Sequence, residues 1–327
     1  MSAGVSARRV ETSGECPLGV TIYESFARSP GPTVLVLGGV HGDEVGGVFA
    51  AGIIASAGWE LLRGRLAVVP IAHEVAFNSN SRTSPLDGGN LAREFPGTNV
   101  GSPTQRLANL LLEKCIRDAD VLVDLHTSNV GTDMPMFVGC LDDGTPHAAR
   151  AVEFAAGFGM EIVWTHPAIA PGRTLSSAAA LGIPALYVES PDGGVIHDAV
   201  TEAYTDGVKS ILEALEMLPP GRTRTAPAHW LHGNGDVDSF AAARVSGLFT
   251  RSTRLMERVA RGQIVGRTFD VLGNVNEEVT APADGYITTL RRASVITIGE
   301  PLVGVAPERP MSLNLVSDAV HERFGKQ

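Results

Sequence analysis

The stretch from residue 33 to residue 49, TVLVLGGVHGDEVGGVF, constrains the fold of this 327-residue chain more than any other segment. Residues 34–37 are an apolar run that predicts a buried β-strand, and the glycines at 38 and 39 predict a tight turn at its end. The residues that follow predict the first turn of a helix, with Asp43 and Glu44 near its positive end. Further apolar strands alternate with helical segments along the chain, which predicts an α/β fold with a largely parallel sheet.

His41 and Glu44 are three positions apart, so they would lie on one side of that helical turn. An imidazole and a carboxylate at the carboxyl end of a buried strand are two of the three protein ligands typical of a catalytic zinc. Two other interpretations stay open for these residues alone: an ordinary glycine turn, or a glycine-rich loop that binds phosphate. The GxGxxG spacing of dinucleotide-binding loops is absent.

A second apolar run, ADVLVDLHTS at residues 119–128, supplies a candidate third ligand. It predicts a buried strand that ends at His126, where open α/β sheets place their ligands. Asp124 would share a strand face with His126 and could orient its imidazole. The predicted metal ligands are therefore His41, Glu44 and His126, with a fourth position open for water.

Composition excludes several other classes of protein. Lys and Arg number 26 and Asp and Glu 36, a formal charge of −10 that argues against a nucleic-acid surface. An anionic substrate would need a local cluster of arginines against that overall field. The three cysteines, at positions 16, 115 and 140, form no CxxC pair and indicate reduced thiols in a cytoplasmic protein. We find no signal peptide and no 18-residue apolar run, and so expect no membrane partner.

Four motifs in order resemble the succinylglutamate desuccinylase/aspartoacylase family of carboxypeptidase-like zinc hydrolases. They are LGGVHGDEVGG and DLHTS, described above, then SRTSPLDGGNLAREFPG at 81–97 and GIPALYVES at 182–190. The resemblance implies a zinc-carboxypeptidase-like α/β fold, with a mixed, mostly parallel sheet flanked by helices. It also implies one Zn²⁺ per chain.

The resemblance assigns roles to individual residues. Glu189 would be the catalytic base, Arg82 would polarise the scissile carbonyl, and Arg93 would bind a substrate carboxylate. Ala92 stands where the family usually has an asparagine, which puts the substrate class in question, and Asn90 is the candidate to replace that amide. Two further residues, His166 and Arg173, could line the pocket.

The C-terminal third has a different character. Residues 219–227, PPGRTRTAP, have the composition of an exposed linker. We therefore expect a catalytic domain at 1–222 and a C-terminal β-barrel or sandwich at 223–327. This region resembles a lipoyl/biotinyl-type fold, but Arg291, Arg292, Ala293 and Ser294 stand where a carrier lysine would be needed. The family resemblance implies that it packs beside the catalytic domain and narrows access to the site.

The predicted function is zinc-dependent hydrolysis of the amide bond of a small N-acyl amino acid, giving a carboxylic acid and a free amine. A carboxypeptidase that cleaves small peptides or modified amides would use the same residues. A non-catalytic zinc-binding module would have lost a ligand or the base, whereas all four positions are filled here. A homo-oligomer is compatible with the sequence.

Overall fold

A computed structural model describes residues 5–13, 17–221, 225–233 and 240–309 of the chain. Its first ten strands are β1 (Ser6–Glu11), β2 (Gly19–Phe26), β3 (Thr33–Gly38), β4 (Arg65–Val69), β5 (Val121–Leu125), β6 (Thr132–Asp133), β7 (Phe137–Leu141), β8 (Ile162–His166), β9 (Ala185–Glu189) and β10 (His229–His232). From β3 to β10 the strands alternate with helices, as the apolar runs predict, except that β5, β6 and β7 follow one another directly.

The α-helices of the described residues are α1 (Val45–Ser56), α2 (Glu74–Asn78), α3 (Pro103–Leu111), α4 (Pro146–Gly157), α5 (Thr174–Ala180) and α6 (Asp198–Ala214). They range from five residues in α2 to 17 in α6. The α3 helix begins as its sequence predicts, because Ser102 and Gln105 form a reciprocal capping box and Pro103 occupies the first turn. Within the described residues, no helix combines the length and the apolarity needed to cross a bilayer.

Nine of these strands form one mixed sheet in the order β1-β2-β4-β3-β5-β9-β7-β8-β10. The pairs β4/β3, β3/β5, β5/β9, β7/β8 and β8/β10 are parallel, whereas β1/β2, β2/β4 and β9/β7 are antiparallel. The prediction of a mixed, mostly parallel sheet is therefore confirmed. Alternate residues of β5 enter the two cores, with Val121 and Val123 on one face and Leu122 on the other.

A C-terminal β region is present, as expected, and the regular elements among its described residues are all strands. Its strands β12, β14, β15 and β17 form one sheet, and β11, β13, β16 and β18 form a second, which also includes β6. The strands are β11 (Ala241–Ala242), β12 (Gly247–Arg251), β13 (Arg258–Val259), β14 (Ile264–Phe269), β15 (Val275–Thr280), β16 (Gly285–Arg291), β17 (Val295–Ile296) and β18 (Pro301–Ala306).

Strands from each side of the predicted domain boundary pair with strands from the other side. That boundary, between residues 222 and 223, falls outside the described residues, as does Cys16. Beyond it, β10 still pairs with β8 in the main sheet, and β6 of the N-terminal region pairs with β16. The chain therefore crosses between the two regions more than once.

Helix α1 approaches the end of β5 closely because it carries glycine where the two meet. A Cβ atom on Gly47 would lie 2.3 Å from the carbonyl oxygen of Leu125, and one on Gly46 would lie 2.9 Å from Cγ2 of Thr127. The helix begins at Val45, after the turn that the sequence predicted to be helical, so His41 and Glu44 converge through the turn before the helix and not along its face. This close packing brings Glu44 next to the end of β5.

We predict that Gly47→Ala lowers the free energy of unfolding by about 1–3 kcal/mol, since the new methyl group overpacks the contact with β5. Gly52→Ala in the same helix is the matched control: a Cβ there meets no atom within 4 Å. The control should raise the free energy of unfolding by about 0.5–1 kcal/mol, because alanine loses less backbone entropy than glycine on folding. Urea denaturation of both variants measures the effects, and equal behaviour would contradict the close approach.

Candidate active site

One cavity of about 160 Å³ lies where β3, β5 and β9 end. These parallel strands are neighbours in the sheet, so the residues that follow β3 and β5 and the last residue of β9 meet at one edge. The cavity brings together nine of the residues singled out in the sequence: His41, Glu44, Arg82, Arg93, Asp124, His126, His166, Arg173 and Glu189. The tenth, Asn90, contacts the ring of His41.

Glu44 lies between the two imidazoles at the bottom of this arrangement. Its Oε1 is 2.7 Å from Nδ1 of His41, and its Oε2 is 2.8 Å from Nδ1 of His126. All three side chains are buried, and one ligand atom from each lies within 4.8 Å of the others. Two nitrogens and a carboxylate oxygen at this spacing could hold a metal ion.

Each imidazole is oriented by a second acceptor on its other nitrogen. Nε2 of His41 lies 3.1 Å from Oδ1 of Asn90, and this oxygen also accepts the backbone N–H of Ala92, which fixes the direction of the amide. Nε2 of His126 lies 3.1 Å from Oδ2 of Asp124. An acceptor at Nε2 places the ring hydrogen there and leaves the Nδ1 lone pair facing the centre.

This pattern of donors and acceptors fits a bound cation. With both Nε2 hydrogens donated outward, two imidazole lone pairs and a carboxylate face one another at hydrogen-bond distance. Such groups repel unless positive charge lies between them. Arg82 supplies part of that charge, because its Nη1 donates to Oε1 of Glu44 at 2.8 Å and lies 3.2 Å from Nδ1 of His41.

The pKa shifts have the same origin. Burial lowers the pKa of His41, and the charge of Arg82 acts in the same direction. Burial disfavours the charged form of Glu44, yet His41 and His126 hold its pKa well below the ordinary value. For His126 the carboxylates of Asp124 and Glu44 outweigh burial and raise its pKa well above the ordinary value. The carboxylates of Asp124 and Glu44 thus favour positive charge between them, which a proton on His126 supplies and which a bound cation would supply in its place.

Glu189 is a second buried carboxylate on the cavity wall. It is the last residue of β9, and its Oε2 has no hydrogen-bond partner among the described residues. Burial, with a further contribution from the charge of Glu44, raises the pKa of Glu189 to about 8. A carboxyl group in this environment can both accept and donate a proton.

The loop that carries Arg82 is held against the turn of His41 by a glycine. A Cβ on Gly42 would lie 2.0 Å from the carbonyl carbon of Ala76, and the N–H of Gly42 donates to the carbonyl of Ser81 at 3.0 Å. No side chain fits at this position. Arg82, which follows Ser81, is thereby placed beside His41 and Glu44.

Arg93 and Arg173 come from two loops that are joined by backbone pairing. The N–H of Phe95 donates to the carbonyl of Gly172 at 3.1 Å, and a Cβ on Gly172 would lie 2.4 Å from the carbonyl oxygen of Arg93. Gly172 also has a φ of +88°, a conformation that favours glycine. Both residues line the same cavity, where guanidinium groups could bind a carboxylate.

Two residues of the site were not identified from the sequence. Thr174 donates its hydroxyl to Oδ2 of Asp124 at 2.6 Å and so helps to hold that carboxylate. Tyr187 lines the cavity two residues before Glu189. Strand alternation puts Tyr187 and Glu189 on one face of β9. This spacing was the signal in the sequence from which Tyr187 could have been identified.

Two sequence comparisons, with a family model and with a characterised relative, find similar proteins. A family model described as the succinylglutamate desuccinylase/aspartoacylase catalytic domain matches residues 30–215. The chain is also 27% identical over 285 residues to the N-alpha-acetyl-L-2,4-diaminobutyric acid deacetylase of Halomonas elongata. That match covers 85% of this chain and 83% of the relative.

Solved structures share the fold over nearly the whole chain. A succinylglutamate desuccinylase from Silicibacter sp. superposes with a TM-score of 0.83 at 24% identity, covering 94% of this chain and 95% of that one. The product-bound ectoine utilization protein EutE (DoeB) from Ruegeria pomeroyi gives a TM-score of 0.83 at 24% identity, covering 93% and 95%. Both matches include the C-terminal β region.

We predict that Asp124→Asn weakens Zn²⁺ binding by about 10- to 100-fold, because the ring of His126 loses the anionic acceptor that orients it. Competition of Zn²⁺ with a chromophoric chelator measures the affinity. Asp206→Asn, an exposed position on α6, is the matched control and should bind Zn²⁺ as the unmodified chain does. Equal affinity of the two variants would show that Asp124 does not support a ligand.

Proposed function

The chain belongs to the succinylglutamate desuccinylase/aspartoacylase family, as its four motifs indicated, and on this premise we propose that it hydrolyses the amide bond of a small N-acyl amino acid with one Zn²⁺ per chain. The products are a carboxylic acid and a free amine. One observation carries the proposal. Two imidazoles and a carboxylate converge at the base of a cavity that also contains a second buried carboxylate and three arginines.

His41, Glu44 and His126 are the residues that would hold the zinc. When bound there, the ion would act as a Lewis acid that lowers the pKa of water and polarises a carbonyl group. Asn90 and Asp124 keep the two imidazoles in the tautomer that can ligate. In this proposal Asn90 acts through His41 and does not itself contact the substrate.

Glu189 is the proton carrier of the proposed reaction. In its ionised form, the carboxylate of Glu189 accepts a proton from the attacking water and delivers that proton to the leaving nitrogen, so that the amine departs neutral. Burial supports this role, because a carboxylate that is removed from bulk water keeps the proton within the site. The unpartnered Oε2 of Glu189 supplies the accepting atom.

The three arginines divide between charge stabilisation and substrate binding. Arg82 contacts the ligand cluster directly, so it is placed to stabilise the oxyanion that forms when the carbonyl carbon becomes tetrahedral. Arg93 and Arg173 bind the carboxylate of the amino-acid half, since a guanidinium offers a fixed fork of donors and stays charged at any working pH. Ala92, which precedes Arg93, has no side-chain amide that could also donate a hydrogen bond to that carboxylate.

The dimensions of the cavity favour a small substrate over a peptide. Its volume of about 160 Å³ is below the range typical of sites for drug-sized ligands. Thr289 of β16 forms part of the wall, which supports the proposal that the C-terminal domain, residues 223–327, narrows access to the catalytic domain, residues 1–222. The deacetylase of Halomonas elongata, named for an acetylated diamino acid, suggests acetyl as the first acyl group to test.

The proposal is tested by measuring amine release from N-acetyl, N-succinyl and N-formyl amino acids, with the zinc of the purified protein counted. We expect one zinc per chain and turnover of at least one N-acyl amino acid. His41→Ala should lose the zinc and the activity together, whereas His147→Ala, away from the cavity, should keep both. Absence of zinc after reconstitution would refute the hydrolase mechanism, and turnover restricted to a peptide panel would favour the carboxypeptidase alternative.

Glu189→Gln should lower kcat by about 10²- to 10⁴-fold, because the amide cannot take the proton from water. The zinc content should stay at the level of the unmodified chain, since Glu189 is not a ligand in this proposal. Glu202→Gln, an exposed substitution on α6, controls for the loss of one negative charge. Retained activity in Glu189→Gln would remove Glu189 from the mechanism, and lost zinc would place it among the ligands.

A further inference from the structure

Arg292 joins the C-terminal region to two segments that follow strands of the active site. It comes directly after β16, and its backbone N–H donates to the carbonyl oxygen of Gly131 at 2.9 Å. Its Nε donates to Oδ1 of Asp133 at 2.9 Å, and its Nη2 donates to the carboxylates of both Asp133 and Asp192. Asp133 belongs to β6 and Asp192 to the loop after β9, so one side chain connects these two segments.

Two loops that meet near this arginine begin next to residues of the proposed reaction. The first loop, residues 127–131, follows the proposed zinc ligand His126, and the second loop, residues 190–197, follows Glu189. Oε2 of Glu189 has no hydrogen-bond partner among the described residues. No bond to that atom fixes the carboxylate, so its position depends on the backbone that carries it. A shift of the second loop would therefore shift the proton carrier.

The two loops are in direct backbone contact. The N–H of Ser128 donates to the carbonyl oxygen of Ser190 at 2.8 Å, which extends the pairing of β5 with β9 past the ends of both strands. A Cβ atom on Gly193 would lie 1.7 Å from the carbonyl oxygen of Ser128, and the N–H of Gly193 donates to Oγ of Ser128 at 3.3 Å. The distance between the loops is thus set by contacts that leave no free space.

Asp192 is the point at which Arg292 reaches the second loop. Its φ of +61° is a left-handed conformation, and the N–H of Val195 donates to its carbonyl oxygen at 3.0 Å, which closes a turn. Oδ1 of Asp192 accepts from Arg292, and Oδ2 lies 3.2 Å from Nε2 of His197. The carboxylate of Asp192 therefore joins Arg292 to a turn that the loop has already formed.

Resting on the proposed function, we propose that Arg292 is a positioning residue that holds Glu189 at the distance from the metal centre that proton transfer requires. Proton transfer needs hydrogen-bond distance between the carrier and the reacting atoms, and a displacement of about 1 Å can lower a rate by about 10²-fold. Among the described residues, those that line the cavity do not include Arg292. It acts through Asp192, so the C-terminal region controls the chemical step besides narrowing access.

The role in positioning can be separated from a role in stability. The side chains of Arg292 and Asp192 are 33% and 41% exposed, and ion pairs of this kind contribute little to global stability. Arg251 offers a matched comparison, because it also comes from the C-terminal region and donates to Asp133 at 2.8 Å. Within the described part of the chain, Arg251 forms no bond to Asp192.

The test compares Arg292→Met with Arg251→Met in the zinc-loaded full-length chain. Each variant removes one arginine that binds Asp133, but only Arg292→Met releases Asp192. We expect Arg292→Met to lower kcat for an N-acyl amino acid by about 10- to 100-fold with little change in KM, because the substrate carboxylate is bound elsewhere in the cavity. Arg251→Met should keep kcat. Both variants should keep the zinc content and the urea midpoint of the unmodified chain.

A second variant tests the same contact from the side of the loop. Asp192→Gly removes the carboxylate, and glycine adopts the left-handed conformation of this position without strain. This variant should lower kcat as Arg292→Met does. The double variant should show no added loss, since the two residues form one contact. Additive losses would contradict the action of Arg292 through Asp192.

Other outcomes distinguish this proposal from the function on which it rests. Equal kcat losses in Arg292→Met and Arg251→Met, an unchanged kcat in Arg292→Met, or a change confined to KM would overturn the positioning role. If the unmodified chain turned over no N-acyl amino acid, the proposed function would fail, and hydrogen exchange would then decide whether Arg292 holds the loops. Faster exchange of the N–H groups of Ser128 and Gly193 in Arg292→Met than in Arg251→Met would support this, and equal rates would refute it.

Discussion

The active site depends on one buried carboxylate, Glu44, that is held between two imidazoles. A carboxylate removed from water is costly unless positive charge and hydrogen-bond donors surround it. Here the surroundings are His41, His126, Arg82 and the backbone N–H of Thr127, which lies 3.3 Å from Oε2. His126 and Thr127 follow β5, whereas His41 follows β3 and Arg82 lies in a separate loop, so the folded chain must bring three segments to the same point. A cation bound between Glu44 and the two imidazoles would add to this positive charge, which is why the site fits a metal ion.

Glycines make that convergence possible. Gly42 and Gly47 both stand where another backbone would overlap any Cβ atom, at α2 and at β5 respectively. Gly172 has the same function between the loops of Arg93 and Arg173, and Gly139 leaves room for the ring of Tyr187. At these positions a methyl group would force a backbone to move. The glycines of this site thus set distances between the functional side chains, and only at Gly172 is a left-handed conformation also required.

The C-terminal β region completes the wall of the cavity. The short strand β6 pairs with β16, and Asp133 on β6 accepts hydrogen bonds from Arg251 and Arg292, while Arg292 also pairs with Asp192. Partly exposed ion pairs contribute little on their own, about 0–1 kcal/mol each. The backbone pairing of β6 with β16 fixes the register, and the ion pairs add specificity. Arg292, near the place where a carrier domain would need its lysine, is here a contact between the two regions.

The sequence by itself predicted the fold class, a mixed, mostly parallel sheet with a C-terminal β region, and the polar residues that follow or end three of the central strands. Apolar periodicity reports burial, and polar residues such as His41, His126 and Glu189 interrupt it where strands open onto a ligand site. The helix boundary was less predictable: α1 begins after Glu44, because the packing of the turn against α2 and β5 outweighs the local preference of an acidic residue for the first helical turn.

Only the tertiary structure decided which groups meet. The sequence did not predict that Asn90 contacts His41, nor that β10 joins the main sheet although it follows the predicted linker. The pairing of Tyr187 with His166 across Gly139 involves three strands that are far apart in the chain. Periodicity shows which face a side chain occupies, but its partner depends on strand order and register. These are set by long-range packing of the whole sheet, which no local stretch of sequence records.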